Sequence, residues 1–395
     1  MSSLDKTVNV LGARKLLWEV FGPGQDALVA RAPGRVNLIG EHTDYNEGYV
    51  LPFAVNRYTE VALRPRHDMR VAVYTAAFAE TFVSRLPLNS PEPQGRWSDY
   101  IVGVLWEFEK LQALPHGFEA AIASDVPLGA GLSSSASLEV AAAVGLVWLY
   151  GLEIGDLDLV GLCQRAERDF VGMPCGIMDQ YAAYFGEPGK AIFLDTRSLT
   201  HRTVPLELGD VVFLIVDSGV RRALASSGYS NRRRECEEAA RWLAHRFPEK
   251  GIRSLRDVTR KMLEDVRGEM PGVLWKRAVH VVEENARVLA AVEALKAKDV
   301  RKVGELLYSS HISLRDLFQV SIPELDFLVE WGMAHGALGA RLVGGGFGGI
   351  TLHLVPEEVQ DYAEALKEAY RRRFGREAEV MEVHPGPGAR RLTPH

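Results

Sequence analysis

The sequence predicts a mixed α and β protein that is long enough for two domains. Its 395 residues exceed the usual size of one domain, and each half can bury a core of its own. Alternating apolar and β-branched residues in 58–64 and 69–75 favour strands. Apolar residues recur at helical spacing in 100–111, 278–296 and 303–318, which favours helices packed on one face.

Composition and charge exclude several classes of protein. Apolar residues make up 47% and charged residues 25%, as in ordinary soluble domains. The net charge of -6 gives no general basis for holding nucleic acid or an anionic membrane. The three cysteines are too few and too scattered for a disulfide framework or a zinc site. Residues 1–6 lack a signal-peptide pattern, and the apolar run 140–150 is about half of a bilayer span. We therefore expect a cytoplasmic protein, and a monomer is the default expectation.

An unusually polar segment, 31–52, follows a short predicted strand at 27–30. The Pro33-Gly34 pair should break that strand. The polar side chains of the segment are Arg35, Asn37, Glu41, His42, Asp44 and Asn46. Carboxylates accept hydrogen bonds from sugar-type hydroxyl groups, while guanidinium and carboxamide groups donate. The mixture indicates a hydroxyl-binding surface, and a charged surface loop with capping residues is the alternative.

A glycine-rich turn and a serine cluster precede the strong helix predicted for 136–150. Gly129 and Gly131 allow the backbone to approach a ligand closely, and the serines can cap the helix. Free N–H groups and the positive end of the helix dipole favour an anion, with phosphate the natural guest. No lysine follows the glycines, so this is not a Walker A loop. A plain serine-capped helix is the alternative.

Two carboxylates further along the chain stand in unusual places. Glu167 lies on the apolar stripe of a helix predicted for 156–170. A buried carboxylate needs a cation or several donors, and Mg²⁺ prefers such oxygen ligands; an ion pair with an arginine is the alternative. Asp179 lies in the first turn of a short helix that starts near Ile177, where the helix dipole favours a carboxylate. Gly176 leaves room for a ligand there, although a helix-start role fits equally.

Three other features need an interpretation. Arg232, Arg233 and Arg234 are predicted to form a solvated helix face. His311 is predicted to be a packed helix residue rather than a catalyst. Five of the six positions in 344–349 are glycine, which indicates that the phosphate loop or a ligand approaches this backbone closely. A flexible hairpin is the alternative.

Three motifs in this order resemble those of the GHMP small-molecule kinases. Residues 35–46 (Arg-Val-Asn-Leu-Ile-Gly-Glu-His-Thr-Asp-Tyr-Asn) are similar to the galactokinase signature, residues 128–136 to the phosphate loop and residues 344–349 to the third motif. The resemblance implies two α+β domains with the active site in the cleft between them. We place these domains at 1–205 and 206–395.

The resemblance also implies roles for individual positions. Asp179 is similar to the family's catalytic base, and Arg35 to the residue that orients the base and stabilises the transition state. Ser135 and Glu167 resemble the Mg²⁺ ligands. The implied sugar-binding residues are Glu41, His42, Thr43, Asp44, Gly176, Asp179 and Tyr229. The implied ATP-phosphate residues are Gly129, Ala130, Gly131, Leu132, Ser133, Ser134 and Ser135.

The implied reaction transfers the γ-phosphoryl group of ATP to the anomeric hydroxyl of D-galactose, giving α-D-galactose 1-phosphate. One alternative is a kinase for a related sugar, either N-acetylgalactosamine or arabinose. Another is a galactose sensor without catalysis. Some relatives that act as sensors have lost residues just after the serine cluster, whereas Ala136 and Ser137 are present here. In the family, asparagine usually follows the pocket tyrosine directly, and here Ser230 takes that place.

Overall fold

The computed structural model describes residues 12–24, 27–221, 225–359 and 361–392. Helices and strands alternate irregularly along this part of the chain, as expected for a mixed protein. The helices are α1 Ala13–Phe21, α2 Ser98–Leu111, α3 Ser134–Tyr150, α4 Asp156–Arg165, α5 Met178–Phe185, α6 Ala225–Arg246, α7 Arg260–Asp265, α8 Gly272–Lys296, α9 Val300–Ser313, α10 Pro323–Ala334 and α11 Tyr362–Phe374. The strands are β1 Leu28–Asn37, β2 Tyr49–Val50, β3 Pro52–Pro65, β4 Arg70–Thr75, β5 Glu80–Arg85, β6 Phe118–Ser124, β7 Lys190–Asp195, β8 Thr200–Pro205, β9 Val211–Asp217, β10 Gly339–Val343, β11 Ile350–Pro356, β12 Glu379–Val383 and β13 Arg390–Leu392.

The described strands form three sheets. The six-stranded sheet has the order β13-β1-β3-β6-β4-β5, and β4 and β6 are its parallel pair. The four-stranded sheet has the order β10-β11-β9-β12, and the three-stranded sheet the order β2-β7-β8. None of the described helices is long and apolar enough to span a membrane.

The six-stranded sheet is covered by helices on both faces. Successive side chains of a strand point to opposite faces. Val29 of β1 therefore belongs to the apolar cluster under α1, whereas Ala30 belongs to the cluster that contains residues of α2, α3 and α4. Phe108 of α2 and Val144 of α3 are among the buried residues of that second cluster. This packing fixes α3, whose first turn belongs to the candidate site.

A further apolar cluster joins segments on either side of the predicted domain boundary. It contains Phe53 of β3, Phe213 of β9, Val288 of α8 and Leu352 of β11, all buried. The rings of Phe53 and Phe213 lie 5.1 Å apart. The two halves of the chain thus share buried surface, and the division at residues 205 and 206 stays a prediction.

The predicted break at Pro33 and Gly34 is wrong, because β1 continues through both residues. The pairing register between β1 and β3 shifts between Pro33 and Arg35, which is a β-bulge. A Cβ atom on Gly34 would lie 2.7 Å from the carbonyl oxygen of Leu132, so only glycine fits this approach. The backbone N–H of Arg35 donates to the same carbonyl at 3.0 Å. The bulge therefore brings Arg35 against the glycine-serine loop.

Candidate active site

The three sequence motifs meet at one cleft of about 740 Å³. Residues from β1, from the loop before α3, from the turn before α5 and from α6 line it. The sequence-predicted residues among its lining are Arg35, Glu41, His42, Asp44, Gly129, Gly131, Ser133, Ser134, Ser135, Glu167, Gly176, Asp179 and Tyr229. Gly344 and Gly345 of the third motif also line it. The cleft thus unites segments that are far apart in the sequence.

Thr43, Ala130 and Leu132 were also predicted as site residues, but the structure places them outside the lining of the cleft. The Thr43 hydroxyl is fully buried and lies 2.8 Å from the carbonyl oxygen of Gly40 and 2.6 Å from that of Tyr49. The side chains of Ala130 and Leu132 are buried in an apolar cluster. These residues can act on a ligand through their backbone or by holding their neighbours.

Arg35 and Asp179 form a two-pronged ion pair in the cleft. Arg35 Nε donates to Asp179 Oδ1 at 2.7 Å, and Nη2 donates to Oδ2 at 2.6 Å. Arg35 Nη1 donates to the carbonyl oxygen of Gly131 at 2.7 Å. Burial lowers the pKa of Arg35, but the charge and hydrogen bonds of Asp179 outweigh it and raise the pKa overall. The planar pair fixes the orientation of the carboxylate.

Asp179 lies in the first turn of α5, as predicted. Its carboxylate also accepts a hydrogen bond from the Ser133 hydroxyl. The side chain of Asp179 remains about a quarter exposed, at 24%, on a wall of the cleft. A charged acceptor held by two neighbours and open on one side is suited to receive a hydroxyl group.

The glycine-serine loop has the backbone of an anion site. Gly129, Gly131 and Ser133 all have positive φ angles, at 68°, 85° and 56°. Alternating left-handed residues can turn successive N–H groups towards one concavity. The predicted serine cap is wrong for Ser133, which precedes α3 without a side-chain capping bond, because its hydroxyl serves Asp179 instead. The first turn of α3 therefore presents its N–H groups and its dipole to the cleft.

Glu167 is buried, as its place on the apolar stripe predicts. It lies in a π-helical turn, Ala166–Val171, that follows α4. Gln180 Nε2 donates to Glu167 Oε2 at 2.6 Å, and Ser135 and Cys175 also hydrogen-bond this carboxylate. These donors take the place of the arginine that we considered as the alternative. Burial, and then the charge of Asp179, raise the pKa of Glu167.

The donor set around Glu167 fits a magnesium ion held jointly with phosphate. No group of three or more His, Cys, Asp or Glu side chains in the described chain could hold a metal by itself. Mg²⁺ usually takes one or two carboxylates and completes its shell with phosphate and water. Glu167 supplies one such carboxylate, and the hydrogen-bonded Ser135 hydroxyl supplies a neutral oxygen.

The polar loop after β1 builds the other part of the cleft. His42 has a positive φ of 64°, and its Nδ1 lies 2.8 Å from the Tyr45 hydroxyl. The ring of Tyr229 lies 5.5 Å from that of His42 and 5.4 Å from that of Tyr45. Tyr229 belongs to the helix α6. These rings form a wall of fixed shape.

Asp44 and Gly176 face each other across this part of the cleft. A Cβ atom at position 176 would lie 1.8 Å from Asp44 Oδ2, so the glycine makes room for the carboxylate. Burial, and then the charge of Asp179, raise the pKa of Asp44 to about 7. Asp44 is consequently a hydrogen-bond acceptor whose charge changes near neutral pH.

Glu41 is held by the third motif and by an arginine that sequence reasoning missed. The fully buried Arg341 places Nη2 3.0 Å from Glu41 Oε1 and donates through Nη1 to the carbonyl oxygen of Leu38 at 2.9 Å. The N–H of Gly344 donates to Glu41 Oε1 at 2.8 Å, and Asn37 Nδ2 donates to Oε2 at 2.8 Å. Glu41 therefore has a fixed orientation at the cleft.

The glycines of the third motif are approached mainly by backbone that we did not predict. A Cβ atom on Gly346 would lie 2.3 Å from the carbonyl oxygen of Val320, and one on Gly348 would lie 2.7 Å from that of Val220. The predicted approach of the phosphate loop is wrong at these two positions. Gly344 differs because it lines the cleft.

The predicted solvated face of α6 is wrong for two of its three arginines. Arg232 Nε donates to the carbonyl oxygen of Phe318 at 2.7 Å. Arg233 Nη1 donates to the carbonyl oxygen of Pro174 at 3.1 Å, and it thereby fixes the turn that carries Gly176. Only Arg234 is mostly exposed, at 66%. His311 is fully buried, which confirms it as a packed residue.

Arg221, Phe78 and Trp97 also line the cleft and belong to none of the sequence motifs, whereas Leu128 is the first residue of the phosphate-loop motif. Arg221 lines the cleft, forms an ion pair with Asp217 at 2.7 Å and is 54% exposed, so it can reach an anion at the glycine-serine loop. Phe78 and Leu128 are exposed apolar side chains at 52% and 49%, and they line the cleft together with Trp97. Exposed aromatic residues in loops have no periodic pattern that would reveal them.

Known family patterns match three parts of the chain. The GHMP kinases N terminal domain matches residues 99–187, and the GHMP kinases C terminal pattern matches residues 291–372. The galactokinase galactose-binding signature matches residues 19–65. This last segment contains β1 and the polar loop after it.

Whole-chain relatives agree with these matches. A galactokinase of Thermotoga neapolitana is 45% identical over 364 residues, which cover 92% of this chain and 99% of that protein. The chain belongs to the galactokinase family. Another galactokinase, from Roseiflexus sp., is 45% identical over 368 residues, or 92% of this chain and 93% of the relative.

Solved structures give the same answer for the fold. The Lactococcus lactis galactokinase complexed with galactose superimposes with a TM-score of 0.91 and 37% identity, over 96% of this chain and 98% of that one. The Methanococcus jannaschii mevalonate kinase has a TM-score of 0.67 at 19% identity, over 92% and 99% of the two chains, and this match shows the fold alone. The chain therefore has the GHMP kinase fold, and it is an enzyme of the galactokinase family.

Proposed function

We propose that this enzyme transfers the γ-phosphoryl group of ATP to the anomeric hydroxyl of galactose, with Asp179 as the base. The observation that carries this proposal is the ion pair between Arg35 and Asp179. This pair lies between the glycine-serine loop, which it contacts through Gly131 and Ser133, and the polar loop around Asp44. A base in this place touches both reactants.

The chain contributes chiefly position and charge to this reaction, as is usual for phosphoryl transfer. Arg35 holds both oxygens of Asp179, and its positive charge stabilises the carboxylate. Asp179 would accept the hydroxyl proton of the sugar as the phosphoryl group is transferred. Backbone N–H groups of the loop and the dipole of α3 would stabilise the phosphate charge.

Ser135 and Glu167 would hold Mg²⁺ in this proposal. The bound ion neutralises phosphate charge. Burial raises the pKa of Glu167, and a bound cation would stabilise its charged form. Arg221 would add a second positive charge at the loop. Phe78, Trp97 and Leu128 offer the apolar surface that a nucleobase needs.

The remaining predictions are also proposals. We infer Glu41, His42, Asp44, Gly176 and Tyr229 as sugar contacts, because all five line the cleft. Thr43 would support them through the backbone of the loop. The domain division at residues 205 and 206, the monomeric state and the cytoplasmic location rest on chain length and composition.

The decisive experiment incubates purified protein with MgATP and one sugar at a time. The panel contains galactose, glucose, arabinose and N-acetylgalactosamine, and phosphorus NMR identifies the product. We expect an α-linked 1-phosphate from galactose. Preference for another sugar would support a sibling kinase instead. Galactose binding without any phosphorylated product would support a sensor.

The affinity for galactose should depend on pH through Asp44. The pKa of Asp44 is raised to about 7, so the carboxylate is charged above that pH and becomes protonated as the pH falls through it. A protonated acid loses the charged hydrogen bond to a sugar hydroxyl. We expect the KM for galactose to rise by up to about tenfold for each pH unit below 7.

The control for this pH dependence is the Asp44→Asn variant. Its KM for galactose should be high at every pH from 6 to about 8.5, where the Asp44 carboxyl of the wild type titrates. Steady-state kinetics at saturating MgATP measure both profiles. A wild-type KM that stays constant across pH 7 would contradict the assignment of Asp44 as a charged acceptor.

The Gly176→Ala variant should lose sugar affinity while it keeps ATP affinity. The added Cβ atom would overlap Asp44 Oδ2, so the carboxylate must leave its present position. Loss of one hydrogen bond to a charged group costs about 1.5–3 kcal/mol, or roughly 10- to 100-fold in the KM for galactose. The Gly268→Ala variant is a matched control, because a Cβ atom there meets nothing within 4 Å. An unchanged KM for galactose in Gly176→Ala would refute the argument.

A further inference from the structure

A second buried glutamate, Glu139, is connected to Glu167 by Gln180, which donates hydrogen bonds to both. Glu139 on α3 and Gln180 on α5 are both fully buried. Gln180 Nε2 donates to Glu139 Oε2 at 3.0 Å and to Glu167 Oε2 at 2.6 Å. Both protons of the amide nitrogen are thereby used. One amide thus joins the two carboxyl groups.

Two polar atoms of this group have no partner within the part of the chain that the structure describes. They are Glu139 Oε1 and Gln180 Oε1. An amide oxygen can accept a hydrogen bond but cannot donate one, and the same holds for the oxygens of an ionised carboxylate. Two acceptors without a donor are rare in a protein interior. A proton on Glu139 would turn Oε1 into a hydrogen-bond donor. Gln180 Oε1 is an acceptor that needs such a donor.

We propose that Glu139 is a neutral carboxylic acid that fixes the amide of Gln180, and that this pair positions Glu167. The fixed amide can then present its second N–H to Glu167 in one orientation. The positioning of Glu167 for Mg²⁺ rests on the proposed function, whereas the neutral state of Glu139 does not. Burial, and then the charge of Glu167, also raise the pKa of Glu139 well above its usual range.

The neutral acid also keeps the charge of the site in balance. Asp179 is paired with Arg35, and in the proposed function Glu167 receives Mg²⁺. An ionised Glu139 would add a third negative charge without a cation beside it. Removal of a group that holds a metal ligand in place usually lowers metal affinity or activity 10- to 100-fold.

The test compares the variants Glu139→Gln and Glu139→Leu. The glutamine amide supplies an oxygen to accept from Gln180 Nε2 and an N–H to donate to Gln180 Oε1, so it should rescue both stability and metal affinity. Leucine has no donor and no acceptor, so we expect the Mn²⁺ affinity of the Glu139→Leu variant to fall about 10- to 100-fold. Electron paramagnetic resonance measures bound Mn²⁺ in the presence of a non-hydrolysable ATP analogue. Equal losses in both variants, or no loss in a folded Glu139→Leu protein, would overturn the proposal.

Glu284 provides a matched control for the protonation state. It is also fully buried, but Arg287 Nε donates to its Oε2 at 2.6 Å. Burial raises the pKa of Glu284, yet the charges of Arg287 and His280 outweigh it and lower the pKa to about 2. Glu284→Gln should therefore lower the denaturation midpoint, whereas Glu139→Gln should not. A larger loss for Glu139→Gln would refute the neutral acid even if the leucine variant fails to fold.

An infrared difference spectrum tests the proton directly. The wild-type minus Glu139→Gln spectrum should contain the C=O band of a protonated carboxylic acid at neutral pH. A carboxylate band in its place would overturn the proposal. If Glu167→Gln leaves Mn²⁺ affinity unchanged, the metal role in the proposed function fails. The infrared and stability comparisons still decide the state of Glu139 in that case.

Discussion

Replacement of Asp179 by alanine should lower kcat by about 10³-fold, since a positioned base contributes roughly 10²- to 10⁴-fold to such a reaction. The KM for ATP should change little, because the glycine-serine loop and α3 remain. Arg35 keeps its hydrogen bond to the Gly131 carbonyl and stays in the cleft. Steady-state kinetics give kcat, and calorimetric titration with an ATP analogue gives the nucleotide affinity.

Two further variants sharpen this test. Asp179→Asn keeps the shape of the side chain but loses its charge, and it should be nearly as inactive as the alanine variant. Asp68 forms a similar two-pronged pair with Arg66, at 2.7 and 2.8 Å, but it lies on the surface. Asp68→Ala should leave kcat unchanged. A near-normal kcat in Asp179→Ala would remove Asp179 from the role of base.

Replacement of Arg341 by methionine should destabilise the protein more than any exposed ion pair could. Arg341 is fully buried and Glu41 is 2% exposed. Removal of one partner leaves the other charge buried without compensation, which costs about 3–5 kcal/mol in the free energy of unfolding. The carbonyl groups of Asn37 and Leu38 also lose a donor. Denaturant titration measures the loss.

The double variant Arg341→Met with Glu41→Gln tests the cause of this loss. It removes the uncompensated charge, so part of the lost stability should return. Lys296→Met is the exposed control, because Lys296 and Glu293 are 47% and 69% exposed, and such a pair contributes about 1 kcal/mol at most. A loss below that value in Arg341→Met would show that the buried pair does not hold Glu41.

Periodicity predicted the elements that have one apolar face. The helix α2 and the strand β4 lie within two residues of their predicted positions at 100–111 and 69–75. The strand β5 was missed because four of its six side chains are exposed, so the segment resembles a loop. The strand β13 was missed for the same reason, since two of its three side chains are exposed. Exposed edge strands carry no hydrophobic pattern.

The candidate site was predicted in its parts more than in its connections. The stripe that contains Glu167 correctly placed this carboxylate in the interior. The pairing of Arg35 with Asp179 joins residues 144 positions apart; the family resemblance implied it, but no local pattern does. The same limit applies to Arg232, whose partner is the carbonyl group of Phe318. The sequence of an arginine run is the same whether its side chains are solvent-exposed or donate hydrogen bonds to backbone carbonyl groups.

The pairing of β13 with β1 matters for synthesis on the ribosome. Val29 and Arg31 lie opposite Leu392 and Arg390, so one edge of β1 stays open until residues 390–392 have been synthesised. At roughly 5–20 residues per second this interval is on the order of tens of seconds. An open strand edge can pair with another nascent chain. The strand that carries Arg35 therefore has an open edge throughout the synthesis of residues 38–389.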